Sequence, residues 1–246
     1  MAILKKDRDD GTVNAGSIID AFGSVRVLVV GDLMLDEFIR GRVSRISPEA
    51  PVPVVDVINE DSVPGGAANV AGNIVSLGGT CYISGIIGRD SDGAKLVRLM
   101  HKRRIDTSGV ISAEGRRTTV KTRVLAHSQQ VVRVDREDKS PAGAEYASKI
   151  LAHAAKLAPR LDAVVVSDYA KGAVTVGLMK GLASLCGKRG IPLLVDPKVK
   201  NMSVYRGAYM VTPNLKEAAE ATGVSGDGPE AVKKMARILF KMLACR

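Results

Sequence analysis

A chain of 246 residues, 46% hydrophobic and 25% charged, can bury a sizeable core and has the balance of a globular α/β domain. The cysteines Cys81, Cys186 and Cys245 are odd in number, widely spaced and form no C-x-x-C. That argues against a disulfide framework or a zinc site and for a reducing, cytoplasmic setting. The net charge of +10 accompanies only 3% aromatics and no Trp, so the basic runs at 101–104 and 115–117 read as solvated faces or as attraction for small anions, not as a nucleic-acid stripe. No apolar run reaches the roughly 18 residues of a membrane span. The start "MAILKKDRDDGTVNAG" lacks a signal-peptide core, and 1–24 is expected to be a polar, frayed N-terminal segment.

In chain order, "VRVLVVGD" (25–32) is a β-branched apolar run stopped by Gly-Asp, the pattern of a buried parallel strand. The stretch 38–60 has no helical period, and its prolines at 48, 51 and 53 exclude a central strand, so 38–58 predicts a flap off the main body. "VPGGAANVAGNIVSLGG" (63–79) opens on Gly65-Gly66 and continues at helical spacing, which predicts a helix with Ala67, Val70, Ile74 and Leu77 on the core. "CYISGIIG" (81–88) is a second buried strand, and 90–104 an amphipathic helix with acids first and bases last. The segments 118–126 and 129–137 pattern as a β-hairpin, so 118–134 is expected to complete the flap, or lid. Helices at 142–157 and 174–188 then alternate with strands at 162–169, 191–198 and 208–214. A short helix near Gly223 and a last one with Pro229 at its first position follow. Such alternation predicts right-handed βαβ units and an α/β fold whose mostly parallel sheet is covered by helices on both faces.

Ligands of an open α/β sheet bind beyond the carboxyl ends of its strands. There the sequence places Asp32 and Asp36, Ser167-Asp168-Tyr169, Asp196-Pro197-Lys198 and Thr212-Pro213-Asn214. Each alone is also a helix cap, and their convergence on one edge is what suggests a site. No G-x-x-x-x-G-K-[ST] occurs, and Gly66 is followed by Ala-Ala-Asn-Val-Ala, which misses the dinucleotide fingerprint G-x-G-x-x-G. Asn69, one turn into the helix, is placed to offer its amide to a hydroxylated ligand resting on bare glycine backbone.

Gly65-Gly66-Ala67-Ala68-Asn69-Val70-Ala71, with Gly78 and Gly88, resembles the N-terminal signature of the PfkB/ribokinase-like carbohydrate kinases. "TPNLKE" (212–217) resembles that family's second hallmark, and "GDLMLD" (31–36) its sugar-holding strand end. "RISPEAPVPVV" (45–55) and "SDYAKG" (167–172) resemble the heptose 7-phosphate kinase branch. The resemblance, running from 25 to 246, implies a ribokinase-like domain with a β lid, using ATP and Mg²⁺. The implied reaction moves the γ-phosphoryl group to the anomeric hydroxyl of D-glycero-β-D-manno-heptose 7-phosphate, in ADP-heptose and lipopolysaccharide-core synthesis.

By that resemblance Asp32, Asp36, Gly65, Gly66, Asn69, Arg133, Asp168 and Lys171 are expected at the sugar phosphate. Lys198, Asn214 and Glu217 are expected at the nucleotide and its phosphates, with Glu217 reaching Mg²⁺ through water. Lys171 and Lys198 read equally as solvated loop lysines, and Asn214 with Glu217 as a helix cap and its partner. The family's later G-A-G-D segment, which carries the catalytic base and anion hole, does not occur in the 246 residues. No catalytic residue is therefore assigned, and the fold is expected to lack its C-terminal part, as a fragment, a truncated product or a degenerate paralogue. The expected function is a sugar kinase, weakly active or inactive in this form. The alternatives are a kinase for another sugar and a non-catalytic sugar-phosphate- or partner-binding module. Expected partners are the sugar phosphate and ATP, with neither nucleic acid nor membrane, and the lid strands could pair subunits into a homodimer.

Overall fold

The structure, a computed structural model, describes residues 15–127 and 129–245. At its centre is β1 (Arg26–Ile46), whose first residues Val27, Leu28, Val29 and Val30 are all buried. Parallel neighbours flank it, β3 (Thr80–Gly88) on one side and β7 (Ala163–Ser167) on the other. With β4 (Asp106–Ala113), β8 (Leu193–Asp196) and β9 (Met210–Val211), the order is β4-β3-β1-β7-β8-β9, parallel throughout.

Alternation along β1 divides the core in two. Val27 and Val29 face α2 (Ala67–Ser76) and α3 (Ser91–Lys102), meeting Ala67, Ala71, Leu96 and Met100. Leu28 and Val30 face the other layer, α4 (Ala144–Leu157), α5 (Val176–Arg189) and α7 (Pro229–Leu243), with Ile150, Leu178, Leu182 and Met235. A sheet buried on both faces requires this pairing of apolar residues, and it explains the unbroken hydrophobic run. Among the described residues no helix is long and apolar enough to cross a membrane.

The lid departs from the sequence expectation in its construction. β1 does not stop at Asp32. It runs on to Ile46, 21 residues in all, out of the main sheet. There it pairs antiparallel with β2 (Pro53–Gly66), from Leu33 opposite Gly66 to Ile46 opposite Pro53. Its other edge pairs in parallel with β5 (Thr119–Ala126), and β6 (Gln129–Arg136) closes the far side antiparallel to β5. Pro48 and Pro51 fall in the connection between β1 and β2, and Pro53 is the first residue of β2. At those positions a missing N–H removes no central ladder bond.

Three further expectations need correction. The buried face of α2 is Ala67, Ala68, Ala71 and Gly72, whereas Val70 and Ile74 are half-buried and Leu77 is 61% exposed. Close approach wins over side-chain area here: a Cβ on Gly31 would stand 3.2 Å from the Ala67 methyl. β4 was not anticipated; its Ser108 and the Ser84 of β3 both bond the His153 imidazole of α4, at 3.1 and 2.8 Å. Ala15–Ala21 forms α1 and Phe22–Ser24 a 3-10 turn where a frayed segment was expected, while residues 1–14 lie outside the described residues.

Gly31 and Gly187 test the packing of the central strand. A Cβ on Gly31 would run into the backbone carbonyl of Ser167, whereas one on Gly187, inside α5, meets nothing within 4 Å. In urea denaturation Gly31→Ala is expected to lose about 2 kcal/mol or more. Gly187→Ala should gain roughly 0.5–1 kcal/mol through helix propensity. Equal stability of Gly31→Ala and the parent would show that β1 and β7 do not need this close approach.

Candidate active site

Asp32 stands where β1 leaves the main sheet and is 2% exposed. Its carboxylate accepts the backbone N–H groups of Tyr169 (2.8 Å), Lys171 (3.0 Å) and Ala173 (3.0 Å). Asp168, 3% exposed, accepts the N–H of Ala170 (2.6 Å), the Asn201 amide (2.7 Å) and the Tyr205 hydroxyl (2.6 Å). Burial pushes the Asp32 carboxyl above its usual range, the three amides pull it back, and the charge of Asp168 adds to the rise. The Tyr205 phenol is likewise pushed far up, by burial first and then by Asp168. Asp32 thus holds the loop after β7, and Asp168 ties that loop to Asn201 and Tyr205, as buried carboxylates must be met by donors.

The glycine pair lies at the end of β2. Gly66 has φ 57 and ψ −134, a conformation that favours glycine, and a Cβ there would sit 2.5 Å from the Asp32 carbonyl oxygen and 2.7 Å from the Met34 methyl. A Cβ on Gly65 would collide with the Asp36 carboxylate. Asp36 is held by the Arg123 guanidinium of β5 at 2.5 Å. Asn69 is exposed in the first turn of α2. Arg133 stands across from Arg123 in the ladder, half-exposed, and binds Asp135 on its own strand at 2.9 and 3.1 Å. Lys171 turns toward the lid stem instead, pairing with Glu137, which also meets Lys139 (2.6 Å) and Lys121 (3.7 Å). Arg116 reinforces that stem, donating to the carbonyls of Asp138 (3.1 Å), Ser140 (3.0 Å) and Lys171.

At the β8–β9 side a cavity of about 250 Å³ is lined by Tyr169, Asp196, Lys198, Thr212, Asn214 and Glu217, among others. Asn214 caps α6 (Leu215–Thr222): its side chain accepts the Glu217 N–H at 2.9 Å, and Glu217 returns the bond to the Asn214 N–H at 3.1 Å. The second Glu217 oxygen meets Lys198 at 3.3 Å. The cap reading of this pair therefore holds, and it leaves both side chains on the cavity wall. Burial and the neighbouring Glu217 push the partly exposed Asp196 carboxyl up, against the pull of Lys198. Among the described residues no three His, Cys, Asp or Glu side chains converge to cage a metal ion. Mg²⁺ keeps most of its waters and needs only one or two carboxylates beside substrate phosphates, a pattern that Asp196 and Glu217 fit.

Sequence reasoning missed Tyr205, Arg116 and Arg123. Nothing in the spacing marks Tyr205, and only the alternation of the lid strand puts Arg123 on the face of Asp36. A glycine-opened helix and a capped helix over one carboxyl edge, beneath a four-stranded lid, are what known proteins can be compared with. Residues 25–244 match the pfkB family carbohydrate kinases. The chain belongs to that family.

Among curated relatives, the bifunctional protein HldE of Sulfurimonas denitrificans is 44% identical over 209 residues, covering 85% of this chain and 44% of the relative. HldE of Caulobacter sp. strain K31 is 44% identical over 217 residues, covering 88% and 44%. The chain thus spans under half the length of these relatives. Among solved structures, the tetrameric inhibited form of phosphofructokinase-2 from Escherichia coli superposes with a TM-score of 0.68 at 21% identity, covering 90% of this chain and 71% of that one. Arabidopsis thaliana ribokinase complexed with ribose and ATP gives 0.63 at 14% identity, covering 89% and 69%. These two likenesses show the ribokinase-like fold.

Substitution at Asp32 should act on stability more than substitution at Asp36. Asp32→Asn replaces an acceptor with a donor facing amide N–H groups and is expected to cost about 1–3 kcal/mol. Asp36→Asn loosens a single part-exposed pair and should cost less than about 1 kcal/mol. Thermal melts of the two variants compare them directly, and a reversed order would return Asp32 to the list of ligand residues.

Proposed function

We propose that the chain is an ATP-dependent sugar kinase unit that phosphorylates the anomeric hydroxyl of D-glycero-β-D-manno-heptose 7-phosphate, in ADP-heptose synthesis and in a reducing cytoplasm. The observation that carries the reading is the stripped junction of β2 and α2. Gly65 and Gly66 leave bare backbone beside the Asp36 carboxylate, with Asn69 one turn on. The heptose-branch stretches at 45–55 and 167–172 and the HldE relatives support this acceptor.

In this reading the sugar rests on the glycine backbone. Asp36, aimed by Arg123, accepts from its hydroxyls, and Asn69 supplies an amide. Arg133 at the lid is available to the substrate phosphate. The lid excludes water, and the strand that carries Asp36 is also the lid's central strand, so covering the sugar and gripping it are one motion. Lys198 and the N-terminus of α6 receive the nucleotide phosphates. Mg²⁺, when bound through water to Glu217 and beside Asp196, supplies neutralisation of phosphate charge. Phosphoryl transfer needs positioning and charge stabilisation above all, and these parts are of that kind. Asp32 is taken up by three backbone amides and Asp168 by the Ala170 N–H, the Asn201 amide and the Tyr205 hydroxyl, so neither serves as the base. The lid also leaves Val57, Val132 and Val134 exposed, which supports pairing of two lids in a homodimer.

Calorimetric titration tests the acceptor assignment. Asp36→Ala and Asn69→Ala are each expected to weaken heptose 7-phosphate binding by about 10–100-fold and leave ATP binding unchanged. Equal losses for both ligands would mean these residues support the fold and not the sugar. A polypeptide of these 246 residues, compared with one continued through a G-A-G-D segment, is expected to turn over about 10²–10⁴-fold more slowly for want of a base. Comparable rates would place the base within the present residues, with Asp196 the first to substitute.

A further inference from the structure

The loop from Asp168 to Ala173 is held more firmly than a connection between a strand and a helix requires. Its backbone N–H groups at 169, 170, 171 and 173 all bond buried carboxylates, three to Asp32 and one to Asp168. Ala170 is kept at φ 53 and Gly172 at φ 92. For a residue with a Cβ the left-handed region is strained, and such strain persists only where the surroundings over-determine it. Two buried charges and a strained backbone are a large outlay for a surface turn.

What the loop presents follows by elimination over its side chains. Asp168 points inward to Asn201 and Tyr205. Lys171 is drawn to Glu137 at the lid stem. Ala170 and Gly172 carry no functional group. Tyr169 remains, and it lines the cavity, 37% exposed. The chain has five Tyr, three Phe and no Trp, so a half-open phenol ring at the cavity is uncommon in it.

We propose that Tyr169 is a substrate-contacting residue: its ring is the wall against which the acceptor sugar packs, and its hydroxyl donates a hydrogen bond where the sugar meets the transferring phosphoryl group. This rests on the sugar-kinase reading and adds to it a positioning residue at the seam of the two half-sites. Tyr169 lines the cavity beside Asp196 on the phosphate side, and its backbone N–H bonds Asp32, whose carbonyl oxygen abuts Gly66 on the sugar side. Burial first, and then the charges of Asp196 and Asp36, raise the phenol, so it stays a donor. A sugar's C–H face suits an aromatic wall, while its hydroxyls suit the flanking carboxylates. Asp32 and Asp168 act through this ring as its supports.

The experiment titrates heptose 7-phosphate, a hexose 6-phosphate and ATP separately into the parent chain, Tyr169→Ala, Tyr169→Phe and Tyr209→Ala, with a thermal melt of each. Tyr209 is 47% exposed and is not part of the cavity wall, so its variant controls for loss of an exposed phenol. Tyr169→Phe is expected to weaken sugar-phosphate binding about 3–10-fold and Tyr169→Ala on the order of 30-fold. ATP affinity and melting temperature should match the parent in both, and Tyr209→Ala should change nothing. Unchanged sugar affinity in Tyr169→Ala overturns the proposal and leaves the heptose reading standing. If the parent binds the hexose phosphate alone and Tyr169→Ala loses it, the heptose reading falls and the wall stands. A parent that binds neither sugar phosphate overturns both. Should Tyr169→Ala melt early, Tyr169→Phe decides: a sugar-specific loss supports the proposal, and parent affinity overturns it.

Discussion

Taking an ionised carboxylate out of water is among the costliest acts in folding, and this chain does it twice within one crossing of its central strands. Asp32 and Asp168 lie at the carboxyl ends of β1 and β7, and the charge of Asp168 adds to the burial that raises the Asp32 carboxyl. The solution is backbone. Amide N–H groups of a single loop supply four of the donors, and the Asn201 amide and Tyr205 hydroxyl complete the set. Such a network has one satisfied geometry and many half-satisfied ones, so it fixes the loop more sharply than apolar packing would. The close approach of Gly31 to the Ser167 carbonyl belongs to the same device, since a wider β1–β7 spacing would carry the donors away from Asp32.

The lid depends on the same strand. Because β1 runs unbroken from Arg26 to Ile46, the strand end at Asp32, the Asp36 carboxylate and the middle of the lid form one ribbon. A separate flap would need hinges at both ends. Here the strand itself passes from one sheet to the other near Leu33 and Met34, where pairing with β3 ends and pairing with β2 and β5 begins. The far side of the lid is tied back by Arg116 on the carbonyls of Asp138, Ser140 and Lys171, and by Glu137 among three lysines. Lid position and loop position are therefore mechanically linked, although the two segments are more than thirty residues apart in sequence.

Much of this was legible in the residues. The alternation of apolar runs with amphipathic helices pointed to the parallel sheet, and the glycine pair to the start of α2, because both signals are local. What was not legible is non-local. The continuation of β1 past Asp32 is invisible to periodicity, since its pairing partners β2 and β5 make an otherwise polar, Pro-flanked stretch into strand. Side-chain chemistry at Asp32 and Lys171 was read from residue type at a strand end, which says that a group lies near the site but not which way it turns. β4 went unrecognised because "DTSGVISA" has weak β character on its own and is a strand only by pairing with β3. The α2 face was misjudged for a related reason: apolar spacing measures side-chain size, while at this junction backbone proximity decides burial.

The two ends of the site are finally distinguished by how each helix begins. α2 starts after Gly66 with no side-chain cap on its first N–H groups, at the positive end of the helix. α6 starts with a reciprocal Asn214–Glu217 cap that spends two of those groups internally and adds Lys198 at the carboxylate. An uncapped start suits neutral hydroxyl oxygens, which can accept hydrogen bonds from bare amide N–H groups. A capped start with a paired Lys and Glu is poised differently: an arriving anion can take over the lysine, and a hydrated cation the carboxylate, with the cap keeping both in place during the exchange. The sheet edge is thus divided into a half of bare glycine backbone at an uncapped helix start and a half of paired charged side chains at a capped one, with the Asp168–Ala173 loop between them.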